Sequence, residues 1–145
     1  MESVKIYTAG RMLGLTYDEQ MEWRENLTRE LSVRTNKSVK LYHPPRYYTY
    51  DFQRHKTEKE VMKWDLEHLK LCQIMVVNLN GIKDSIGTIY EIATANAVNS
   101  LCDKHIYILA FGDDNNLHPW IKESIFRYEE SIEKIAEYIA EYLLV

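Results

Sequence analysis

The run from Gln73 to Leu79, with Ile-Met-Val-Val at its centre, is of strand length and continuously apolar. A strand with no polar face has to be covered on both sides, as in a parallel sheet held between two layers of helices. The flanking sequence supplies such helices. Thr57-Glu-Lys-Glu60 has capping-box form and opens a helix to about Leu71, and Ile86 to Asn99 reads as another. Upstream, Ser3 to Ala9 reads as a strand. Thr16-Tyr-Asp-Glu19 is a second capping box, and Trp23, Leu27 and Leu31 fall four apart, which predicts a helix from about Tyr17 to Val33. Ser38 to Tyr42 reads as a short strand and His105 to Phe111 as a fourth. Asn115 to Lys122 reads as a short turn or helix, and Ser124 to Phe126 as a candidate fifth strand. Ile132, Ile135, Ala136, Ile139, Ala140 and Leu143 have the spacing of a closing amphipathic helix.

This alternation over 145 residues predicts one α/β domain, a flavodoxin-like doubly wound parallel sheet of about five strands in the order 2-1-3-4-5. Sheets of this kind place ligands at the switch point, off the carboxyl ends of strands 1 and 3, so chemistry is expected after Tyr7 and after Leu79. The charge balance of 18 Lys and Arg against 22 Asp and Glu gives −4, without the basic excess that a duplex nucleic-acid binder needs. The two cysteines, Cys72 and Cys102, form no CxxC pair, and no apolar run reaches signal-peptide or membrane-spanning length. A soluble chain in a reducing cytoplasm, with no membrane partner, is therefore expected. The Asn-x-Ser/Thr triplets at Asn26 and Asn36 are read as chance in that setting.

The most informative stretch is Asp84-Ser-Ile-Gly-Thr-Ile-Tyr-Glu91, which runs from the loop after strand 3 into a helix. Ser85 suits the N-cap. Helical side chains lean toward the preceding turn, so Glu91 is expected above Gly87, where no side chain fills the space. A glutamate there is otherwise a solvated helix residue; at the switch point it can serve as a nucleophile or general base. Asp65 sits in the stripe Val61, Met62, Asp65, Leu66, Leu69. Among apolar neighbours it needs a partner, either backbone donors or a ligand hydroxyl. The loop after strand 1, Tyr7-Thr-Ala-Gly10-Arg11-Met-Leu-Gly14, could let backbone N–H groups approach an anion, with Arg11 adding charge, or it is simply a turn.

His43 to Lys56 has two prolines, several cations and no period, and is read as a functional loop. Tyr47 and Tyr48 within it offer flat rings for a base or another planar ligand, or else belong to an aromatic cluster that covers the sheet edge or makes an oligomer contact. The five histidines show no i,i+4 pairing with one another and no nearby Cys spacing of metal-site form, so no metal is expected, and the loop after strand 1 lacks the Ser/Thr-rich phosphate grip of a flavin carrier, so no cofactor is expected. No Ser or Cys lies in a recognisable nucleophile elbow.

Four segments together resemble the nucleoside 2-deoxyribosyltransferase superfamily, which includes nucleoside 5′-monophosphate N-glycosidases. They are Lys5-Ile-Tyr7-Thr-Ala-Gly10, Asp65-Leu-Glu-His-Leu-Lys-Leu-Cys-Gln-Ile-Met-Val-Val, Ser85-Ile-Gly87-Thr-Ile-Tyr-Glu91-Ile and Asn116-Leu-His-Pro-Trp120. The resemblance implies the same flavodoxin-like fold. It implies that Glu91 is the nucleophile attacking C1′ of the sugar, that Asp65 orients sugar and nucleophile, and that the Tyr7 hydroxyl lies close to Glu91. It also implies that Asn116 is lent to the site of a neighbouring subunit, in a homodimer or larger homo-oligomer with shared active sites. One departure bears on substrate. Many transferases carry an Asp two residues before the motif glycine, where this chain has Ser85, as the monophosphate glycosidases do; a hydroxyl and helix N–H groups accept a phosphate that a carboxylate would repel.

The reading that follows is transfer of a sugar from a nucleoside to another nucleobase through glycosyl-Glu91, with Gly10, Arg11, Ser85, Gly87, Asn116, Tyr47 and Tyr48 near the substrate. The alternative is hydrolysis of a nucleoside 5′-monophosphate, with Ser85 at the phosphate. A non-catalytic nucleotide-binding or sensing domain is the reading from another class, and the presence of both Glu91 and Asp65 speaks against it.

Overall fold

The computed structural model describes residues 3–48 and 55–145. Val4–Ala9 forms β1, Tyr17–Ser32 α1, Val39–Tyr42 β2, Glu58–Lys70 α2, Ile74–Asn78 β3, Ile86–Leu101 α3, Tyr107–Phe111 β4, Pro119–Ser124 α4, Arg127–Tyr128 β5 and Ile132–Tyr138 α5. The five strands make one sheet in the order β2-β1-β3-β4-β5, and every neighbouring pair is parallel. This is the flavodoxin-like arrangement expected from the alternation of elements.

Side-chain alternation along the strands divides the core in two. Ile6, Ile74, Val76, Leu109 and Phe111 face α1 and α5, where they meet Trp23, Leu27, Leu31 and Ile135, with Ile139 from the π-helical turn that follows α5. Tyr7, Ala9, Met75, Val77, Ile108 and Ala110 face the other way, toward Leu69 of α2, Ile92 and Ala95 of α3, and the residues around α4. β3, buried along its length except at Asn78, has both faces covered. That is why its sequence shows no alternation.

Local chemistry sets the element ends. Thr16 caps α1 and Glu19 returns the bond to the Thr16 backbone N–H; Thr57 caps α2 by accepting from the Glu60 N–H. β3 leaves the sheet through Gly81, whose φ of +72° is a left-handed conformation that only glycine adopts without strain, and a short 3-10 turn over Ile82–Asp84 leads into α3.

Three details differ from the sequence reading. The fifth strand is Arg127–Tyr128, not Ser124–Phe126, and it is fixed by ladder bonds from Phe126 N–H to Ile108 O and from Glu129 N–H to Ala110 O. Within the His43–Lys56 loop Pro44–Tyr47 forms a 3-10 turn, started by two prolines; residues 49–54 lie outside the described residues. Met62, placed in the apolar stripe of α2, is exposed. Among the described residues no helix is long and apolar enough to cross a membrane.

Candidate active site

The residues expected to carry chemistry meet at the carboxyl edge of β1, on the side covered by α2 and α3. Tyr7 is fully buried in β1, and its phenol donates to Glu91 Oε2 in the second turn of α3. Tyr42, at the end of β2, is the register partner of Tyr7 and stacks on it with ring centroids 5.3 Å apart at 15°. The Tyr42 phenol donates to Asp65 Oδ1 of α2 at 3.0 Å. Two carboxylates from two helices are thus each held by a tyrosine from neighbouring strands. Asp65 does have a partner, but it is a side-chain hydroxyl rather than the backbone donors or ligand considered from sequence.

Burial governs the proton equilibria. Loss of solvent pushes the Glu91 carboxyl up to about 8, with Asp65 reinforcing the rise, while the Tyr7 hydrogen bond and the Arg24 charge oppose it. Asp65 is pushed up to about 6 by burial, opposed by Tyr42 and by the charges of His68, His55 and Arg24. The Tyr7 phenol is raised by burial and by the adjacent carboxylates, so it stays a hydrogen-bond donor.

Two contributors were not singled out in the sequence, Tyr42 and Arg24. Arg24 of α1 is a fully buried cation. Its Nε donates to Thr8 Oγ1 at 3.1 Å and one terminal nitrogen donates to the carbonyls of Thr8 and Gly10, at 3.4 Å each; the other donates to Gln20 O. It therefore ties the end of β1, directly after Tyr7, to α1. Burial lowers it to about 10, and the charges of Glu91, Tyr7 and Asp65 favour its protonated form. The only sequence signal was a cation beside the apolar stripe of α1.

The remaining predicted residues occupy distinct places. Ser85 stands at the N-cap position of α3, yet its hydroxyl bonds the Thr88 hydroxyl at 2.6 Å rather than a backbone N–H, so it does not cap the helix through its side chain. A Cβ built on Gly87 would have nothing within 4 Å, so the first turn of α3 is open beside Glu91. Gly10, by contrast, is filled: a Cβ there would meet the Trp23 ring at 3.0 Å and Asn78 Cβ at 3.3 Å. Arg11 lies against Gly14 and Gly81 and donates to Leu13 O at 3.0 Å. With Glu19, Trp23 and Asn78 it lines a cavity of about 170 Å³ on the α1 side of the same edge, not the Glu91 side. Tyr47 stacks on Tyr42 at 4.8 Å and 8°, and the Tyr48 phenol donates to Glu58 at 2.6 Å. Asn116 is exposed in a left-handed turn (φ +56°) before α4, and no hydrogen bond among the described residues joins it to Tyr7, Asp65 or Glu91.

The family model described as "Nucleoside 2-deoxyribosyltransferase like" matches residues 3–106. The chain belongs to this family. The matched span runs from β1 through α3 and so includes Tyr7, Tyr42, Asp65 and Glu91. Solved structures similar to this member include a conserved protein from Enterococcus faecalis V583, at a TM-score of 0.74 and 19% identity over 95% of this chain and 98% of the other. The 2-deoxyribosyltransferase from Bacillus psychrosaccharolyticus follows at 0.69 and 19%, over 97% and 95% of the two chains. The CMP N-glycosidase BcmB from Clostridium botulinum stands at 0.60 and 14%, over 95% and 98%. At these identities the likeness is one of fold. No curated protein sequence matches this one.

Proposed function

We propose that this chain cleaves the N-glycosidic bond of a nucleoside and passes the sugar to a second nucleobase through a covalent glycosyl–Glu91 intermediate. The observation that supports this most is the placement of Glu91: one oxygen held by Tyr7, the other in no hydrogen bond among the described residues, and open space beside Gly87 one turn earlier. Ionised Glu91 attacks C1′ as the C1′–N bond breaks, and the base leaves with the electron pair of that bond and takes up a proton from solvent at the freed nitrogen. The nitrogen of a second base then attacks C1′ and gives up its N–H proton to solvent, the C1′–O bond to Glu91 breaks, and the carboxylate is restored. Two displacements give net retention. Throughout, Tyr7 orients the attacking carboxylate and stabilises its charge, and Asp65 presents Oδ2 to a sugar hydroxyl.

A second reading has its own support. Ser85 supplies a hydroxyl where a carboxylate would repel phosphate, and since that hydroxyl bonds Thr88, the first N–H groups of α3 are not capped by it. In this reading the substrate is a nucleoside 5′-monophosphate and water takes the place of the second base. Chromatography of nucleosides and their 5′-monophosphates, each with and without a second free base, separates the two. Base exchange on nucleosides is the expected result. Free base released from monophosphates without exchange favours the hydrolase, and no product from any of them overturns both.

A further inference from the structure

The two tyrosines at the carboxyl edge do matching work on different helices. Tyr7 and Tyr42 are register partners with stacked rings; Tyr7 donates to Glu91 on α3 and Tyr42 donates to Asp65 on α2. In each pair one carboxylate oxygen is engaged and the other enters no hydrogen bond among the described residues. Tyr42 has little freedom to do otherwise. It is 9% exposed, and besides Tyr7 its ring stacks on Tyr47 at 4.8 Å and on His68 at 4.6 Å and 21°. A phenol fixed in direction fixes the carboxylate that accepts from it, and hydrogen bonds to ionised acceptors are the strong ones.

We infer that Tyr42 is a positioning residue, which holds Asp65 by Oδ1 so that Oδ2 is presented to a ligand hydroxyl in register with Glu91. Its link to turnover rests on the proposed role of Glu91; its action on Asp65 does not. The groups acting on Asp65 are Tyr42 from β2, His68 from its own helix, His55 before α2, Arg24 from α1, and Glu91 and Tyr7 across the cluster. Only Tyr42 hydrogen-bonds it among the described residues. Loss of that phenol removes a donor that favours the ionised carboxylate, so Asp65 titrates higher than about 6.

The test uses Tyr42→Phe, which keeps the ring and its stacks, with Asp65→Asn and the double variant. Tyr42→Phe is expected to lower kcat/KM by about tenfold, with no further loss in the Asp65→Asn background. Equal losses in both backgrounds overturn the inference, because Tyr42 then acts otherwise than through Asp65. A carbon-13 carboxyl titration of aspartate-labelled protein reads the same link without turnover, Asp65→Asn identifying the resonance. The Asp65 midpoint is expected to move upward by about one pH unit in Tyr42→Phe, and an unmoved midpoint overturns the inference. If the wild-type chain cleaves no nucleoside or nucleotide while the midpoint still moves, the proposed activity falls and the Tyr42–Asp65 clamp stands.

Discussion

In the proposed reaction a single proton on Glu91 has opposite effects on activity and on stability. Burial raises this carboxyl from 4.5 to about 8, so the nucleophilic form is populated only as pH climbs through that value, and kcat/KM is expected to rise with pH to a plateau above about 8. The folded state holds the proton more tightly than the unfolded chain. The resulting stabilisation is fully present below pH 4.5 and is lost as pH rises through about 8. Glu91→Gln keeps an acceptor for Tyr7 but never ionises. It is expected to lose turnover by about 10³-fold or more. Its Tm relative to wild type is expected to rise by at least about 5 °C between pH 5 and pH 9, read by thermal denaturation at both; a constant difference would show that Glu91 does not carry the proton assigned to it. Glu91, Asp65 and Tyr7 were legible as candidates because each stands in a motif. Tyr42 and Arg24 were not: Tyr42 lies 35 positions after Tyr7, and only the β1–β2 register makes them neighbours. Nothing local to Arg24 announces that its acceptors are the carbonyls of Thr8 and Gly10.

At the scale of the element, the proposed site depends on the space left at the first turn of α3. Gly87 is exposed, its helical conformation suits any residue, and a Cβ there touches nothing. Gly87→Ala is therefore expected to stabilise the fold by about 0.5–1 kcal/mol in denaturant unfolding. Gly87→Leu is expected to leave the fold intact yet lower kcat/KM by about tenfold or more, because the added side chain enters the space assigned to the ligand; full activity in Gly87→Leu would remove that space from the site. Elements with strong local signals were readable in advance. The capping boxes at Thr16 and Thr57 mark helix starts, and the unbroken apolar run marks β3. β5 was misplaced by a few residues because it is two exposed residues long. Its identity comes from bonds to Ile108 and Ala110 rather than from any pattern of its own, whereas the apolar Ile125 and Phe126 drew the expectation upstream.

For the whole molecule, the outer side of α3 is an apolar face that the described residues leave uncovered. It buries Thr88, Ile92 and Ala95 against the sheet side, and still leaves Ile86 77%, Tyr90 55% and Leu101 83% exposed, with exposed Ala93 and Ala97 between them. These five positions follow one another at steps of four, three, four and four, so they form one stripe along the helix. A helix apolar on its outer face as well as its inner one is normally covered on both, and this stripe begins next to Gly87, at the mouth of the proposed site. A second copy seated there would close that mouth and bring its own side chains to it, which agrees with the role the family resemblance implies for Asn116 across a subunit boundary. Sedimentation is expected to show wild type as a dimer or larger. Ile86→Asp combined with Leu101→Asp, both outward-facing and remote from the core, is expected to give a folded monomer with kcat/KM reduced by about tenfold or more. Asn116→Ala is expected to lower activity without changing the assembly. A wild-type chain that sediments as a fully active monomer would place the whole site within one subunit and leave the exposed stripe on α3 without this explanation.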